Sequence, residues 1–133
     1  MASSSRASSL TLIRLQKLTK ARCELHLSRL NEQYLAREDE NDALVKLQDD
    51  LFSASSKVAA PAQIIMKRLE TNKALQTRLG DEIVDAKHDL LKAARTLDAL
   101  GARLRAIEKE MARAELMYQM EEYQGFLLAK SAI

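Results

Sequence analysis

Between residues 69 and 118 the apolar positions recur at alternating intervals of three and four without a slip. The fifteen positions are Leu69, Asn72, Gln76, Leu79, Ile83, Ala86, Leu90, Ala93, Leu97, Leu100, Leu104, Ile107, Met111, Ala114 and Tyr118, and only Asn72 and Gln76 break their apolar character. A 3–4 alternation sustained over this length is the a/d signature of a left-handed coiled coil, and strands or globular cores do not produce it. It predicts an all-α chain. A long, narrow helical protein also has little room for an enclosed active site.

The same patterning predicts two helices. Residues 1–9 are rich in Ser and Ala without periodicity and read as a flexible tail. Helix 1 is expected over about 10–53, a turn over about 54–61, and helix 2 over about 62–129, all within a single hairpin domain at 10–133. The break is marked by Ser53, Ser55 and Ser56, which cap helices better than they continue them, and by Pro61, which suits a first helical turn. Gly80, Gly101 and Gly125 each weaken helix 2 by up to roughly 1 kcal/mol, which a long seam absorbs.

Two long helices with a short break fold into an antiparallel hairpin. The expected layers include Leu44 with Asn72, Asn41 with Gln76, Tyr34 with Ile83, Leu30 with Ala86 and Leu27 with Leu90. The amides of Asn41 and Gln76 then satisfy each other and fix the alignment. Helix 1 fits less well at Gln16 and Lys20, where Leu15, Leu18 and Leu25 offer a shifted apolar stripe, so a phase slip is expected there. Charge supports the hairpin: the charged residues of 38–50 are all acidic but for Lys46, while those of the facing 67–78 are all basic but for Glu70. Each exposed pair contributes only a few tenths of a kcal/mol.

Helix 2 outruns helix 1, leaving an overhang of roughly 20 residues, or about 30 Å at 1.5 Å per residue. It is apolar, with Met111, Leu116, Met117, Tyr118, Met120, Tyr123, Phe126, Leu127 and Leu128. Such a surface asks for a partner. Three occupants are open: a different protein, a second copy, or the N-terminal tail. Beside it lies a basic end. Arg6, Arg14, Lys17, Lys20 and Arg22 precede the first acidic residue, Glu24, and the proposed register sets them near Lys92, Arg95, Arg103 and Arg105. A basic zone of this kind suits an acidic protein surface. Nucleic acid is disfavoured because no aromatic residues interleave with the basic ones.

Composition narrows the class further. The chain has 133 residues, one Pro, no Trp and 4% aromatic residues, too few for a large globular core. Net charge is +2, which carries no general argument for nucleic acid. The single cysteine, Cys23, precludes an internal disulfide and suits a reducing cytosol. No apolar run reaches the roughly 18 residues that span a bilayer, so a cytoplasmic chain without membrane insertion is expected. His26 and His88 lack Glu-x-x-His partners, Cys23 reads as a small seam residue, and neither a phosphate loop nor a zinc spacing occurs. No catalytic residue, cofactor or metal is expected; the chain reads as a non-enzyme.

A short coiled-coil hairpin with both termini at one basic end resembles the FliJ/YscO family, the stalk components of flagellar and type III secretion systems. The resemblance covers about residues 10–129 and rests on length, helix layout, the Ser/Ala break and charge style. It implies a stalk or adaptor linking a hexameric export ATPase ring to an export-gate subunit, peripheral to the inner membrane through a protein complex, with secretion chaperones as further partners. In that role the basic end (Arg14, Lys17, Lys20, Arg22, Arg95, Arg103, Arg105) docks on an acidic surface, and the overhang (Met111, Met117, Tyr118, Met120, Tyr123, Phe126, Leu127) supplies packing energy. The alternative is a self-associating scaffold or adaptor with no ATPase partner, acting as a homodimer. A membrane-surface hairpin ranks third, because the N-terminus lacks a strongly amphipathic basic helix.

Overall fold

The computed structural model describes residues 2–54 and 59–132. Over these it is an all-α hairpin of two long helices packed against each other, α1 (Ala2–Ala54) and α2 (Ala59–Ser131). Of the expected turn, 55–58 lies outside the described residues, while Ala54 and 59–61 belong to the helices, so α2 begins three residues earlier than expected. Pro61 sits in the first turn of α2, where its missing N–H costs no intrahelical bond. No described residue has a positive φ and no peptide is cis, so the three glycines of α2 are ordinary helical residues.

α1 begins eight residues earlier than the Ser-rich composition suggests. Helix formation there follows from packing and not from propensity. Ser9 is only 3% exposed, and Arg6 Nε donates to Glu108 Oε1 of α2 at 3.2 Å. A small hydroxyl side chain at a seam position lets the helices approach, and the ion pair ties down the turn before it.

The chain divides into two compact units, one built from residues 1–20 and 92–133, the other from Ala21–Leu91. In the second unit the core comprises Leu30, Leu79 and Ala86, with Leu27, Tyr34 and Ile83 packed against it. The expected layers Tyr34/Ile83 and Leu30/Ala86 thus fall in one cluster. Each fully buried Leu contributes roughly 1.5–3 kcal/mol, while buried Ala86 removes bulk and brings the backbones together. In the first unit Ala93 is buried, and Leu97, Leu100, Leu104, Ile107 and Met111 are half-buried along the same stripe. The α2 seam therefore matches the sequence pattern up to Met111.

The expected phase slip in α1 does not occur. In the first unit the seam runs through Ser9, Ile13, Gln16 and Lys20, and in the second through Cys23, Leu27, Leu30, Tyr34, Arg37, Asn41, Leu44, Gln48 and Leu51, with Leu10 and Glu40 half-buried beside it. The 3–4 spacing holds throughout, while Leu15, Leu18 and Leu25 are exposed. The unbroken stripe on α2 dictates the phase of α1, and polar seam residues adapt to it. Gln16 Nε2 donates to the Ala93 carbonyl at 3.4 Å, and Lys20 is half-buried in the seam with an interaction of its own.

The polar layer of the second unit forms as the sequence suggests: Asn41 Nδ2 donates to Gln76 Oε1 at 2.9 Å. Asn72, expected beside Leu44, is fully buried, and neither of its amide atoms finds a hydrogen bond; Asn41 Oδ1 also lacks one. Alongside, Glu40 accepts from Arg68 of α2 and from Arg37 Nη1 of its own helix at 3.0 Å. The Arg68 guanidinium holds the Glu40 carboxyl down to about 2, and Glu40 in turn raises Arg68. This pair joins the acidic and basic blocks read from the sequence.

Candidate protein-binding end

The first unit carries every feature that sequence reading singled out for binding, apart from one residue. Cover over α2 stops near Met111, where Ser3 and Arg6 of α1 line a groove with Glu108, Met111 and Glu115. From Ala112 to Ala132 every residue is exposed. Met117, Tyr118, Met120, Tyr123, Phe126 and Leu127 all lie on this uncovered helix, as do Leu116 and Leu128. Met111 does not. It is half-buried and closes the hairpin seam.

These side chains do not share one face. Continued in phase past Met111, the hairpin seam runs through Ala114, Tyr118, Glu121, Gly125 and Leu128, so it dissolves into an acid and a glycine. Leu116, Met120, Tyr123 and Leu127 instead recur at intervals of four, three and four, which is again a helix-pairing period. At 3.6 residues per turn this second stripe lies roughly opposite the hairpin seam. Tyr118 is thus separated from the stripe, and Phe126 borders it. The sequence holds this information as spacing, whereas residue type alone gathers the apolar residues of the overhang into one group.

The basic residues are more dispersed. Arg14, Lys17, Arg95, Arg103 and Arg105 are exposed in the first unit, whereas Arg22 belongs to the second. Lys20 is half-buried and already engaged in an interaction. By helical phase Lys17 and Arg103 border the seam, while Arg95 faces directly away from it. They raise the potential over the whole unit and do not form a single pocket for an anion.

His26 and His88 are exposed, and Cys23 is half-buried as a free thiol. Among the described residues no group of three or more His, Cys, Asp or Glu side chains is placed to hold a metal ion. Nor is any helix long and apolar enough to cross a membrane. What the arrangement offers chemically is an uncovered apolar helix beside a basic helical pair. No family model, curated protein or solved structure matches this chain.

Proposed function

We propose that the chain is a non-enzymatic adaptor that works by binding other protein chains through the first unit. The observation that carries this reading is the uncovered end of α2, with eight large apolar side chains in water. An exposed surface of this kind is a liability unless a partner covers it. The resemblance to FliJ/YscO stalks gives the reading its concrete form. It is a cytoplasmic component of a type III export apparatus, linking the hexameric export ATPase to the export gate. In that role the basic side chains of the helical pair steer the unit onto an acidic protein surface, and the apolar helix is the pairing surface beside them.

Affinity capture of the tagged full chain from its source cells, with partners identified by mass spectrometry, tests the proposal. A triple charge reversal, Arg14→Glu with Lys17→Glu and Arg103→Glu, serves as control because it leaves the apolar helix untouched. Recovery of a hexameric secretion ATPase or an export-gate subunit, lost in the variant, is the expected result. Recovery of neither would remove the stalk reading.

A further inference from the structure

We propose that the uncovered end of α2 recognises a second copy of itself, pairing antiparallel along Leu116, Met120, Tyr123 and Leu127. The inference rests on reading this end as a protein-binding surface, and it does not require an export ATPase.

Three observations select this occupant. First, the stripe lies on the side of α2 away from the hairpin seam. A longer α1 continuing in its own phase would not cover it, and a second helix approaches it without meeting α1. The four stripe side chains are 45 to 62% exposed.

Second, the face is uncharged. The positions that flank a pairing seam are occupied by Met117 and Gln124 on one side and by Gln119 and Phe126 on the other, while Glu121 and Glu122 fall outside it by phase. A face with no charge is complementary to its own copy, and it gives an acidic or basic foreign groove nothing to pair with. Laid together, two such faces withdraw on the order of 1,000 Å² from water, the threshold for a specific interface.

Third, charge chooses the direction. A parallel pairing would bring two basic helical pairs alongside each other, whereas an antiparallel one carries them to opposite ends. The antiparallel layers are Leu116 on Leu127 and Met120 on Tyr123, related by a two-fold axis. Arg113 then stands opposite Lys130 of the second copy at each solvent-exposed end.

Sedimentation equilibrium of the full chain is the test. A mass twice the 14.9 kDa of one chain at tens of micromolar is expected, with Met120→Glu raising the dissociation constant by more than about a hundredfold because the glutamate enters the interface twice. Circular dichroism of that variant should show its helicity retained. Arg113→Glu gives the direction. It meets Lys130 in the antiparallel pair and tightens the dimer, whereas in a parallel pair it replaces an Arg113–Arg113 repulsion by a Glu–Glu one and leaves the affinity unchanged. A monomer at several hundred micromolar overturns the inference, as does a dimer indifferent to Met120→Glu or one that Arg113→Glu fails to tighten. A monomer that still captures a foreign protein through this helix would overturn self-pairing and leave the adaptor reading standing.

Discussion

At the scale of single residues, the second unit concentrates its polar chemistry around Glu40, Asn41, Asn72 and Gln76. The Asn41–Gln76 bond satisfies two amide atoms, while Asn72 buries its amide at a desolvation cost of about 1–3 kcal/mol and lies close enough to Glu40 to help hold that carboxyl down. A polar seam residue of this kind lowers stability and disfavours slipped alignments in which it would face leucine. Glu40 has the opposite sign. Its carboxyl is held down to about 2, chiefly by Arg68. Its contribution is therefore complete above the ordinary carboxylate range near 4.5 and is lost as pH falls through about 2. Thermal melts of the wild type and Glu40→Gln between pH 7 and pH 2 should show a gap in Tm that closes on acidification. A gap independent of pH would mean that the ion pair contributes nothing.

At the scale of the helix, α1 and α2 differ in how much of their fold the sequence exposes. The α2 seam is legible because apolar residues occupy nearly every seam position, and the Asn41–Gln76 layer because both polar breaks point at one another. The α1 seam is legible at Leu27, Leu30, Tyr34, Asn41 and Leu44 but not towards its N-terminal end, because Gln16 and Lys20 sit in it there while Leu15, Leu18 and Leu25 face water. Apolarity alone misplaces such a helix, since its phase comes from the partner it packs on. The helical start at Ala2 was hidden for a related reason: Ser-rich residues lack propensity, and only the burial of Ser9 and the Arg6–Glu108 pair compensate. Mutational cost should follow the observed phase. Leu30→Ala is expected to cost about 2–5 kcal/mol and Leu18→Gln less than about 0.5 kcal/mol, both read from urea melts. A large loss at Leu18 would restore the slipped seam.

At the scale of the whole molecule, burial is thin and uneven, and the large exposed apolar side chains of α2 gather where its packing against α1 ends. Backbone protection should map this division. In hydrogen exchange read by mass spectrometry, amides of 76–107 are expected to exchange far more slowly than those of 112–132. If the uncovered helix pairs with a second copy, protection across 116–127 rises with protein concentration while that of 76–107 stays fixed. Protection of 112–132 equal to that of the seam at low micromolar concentration would contradict an exposed end. The exposed apolar side chains were legible as an overhang; their division into two faces was not, because it depends on phase and not on residue type.

That division has a further consequence. The outer stripe at 116, 120, 123 and 127 is offset from the hairpin seam by two residues. Removing Ala112 and Arg113 would bring Leu116, Met120, Tyr123 and Leu127 into positions 114, 118, 121 and 125, in register with Leu104, Ile107 and Met111. One uninterrupted heptad frame would then run the length of α2, and the sticky face would turn toward the side that α1 occupies. The direction in which this helix presents itself is thus written in a reading frame of seven, and a shift of two residues changes its address without changing a single apolar side chain.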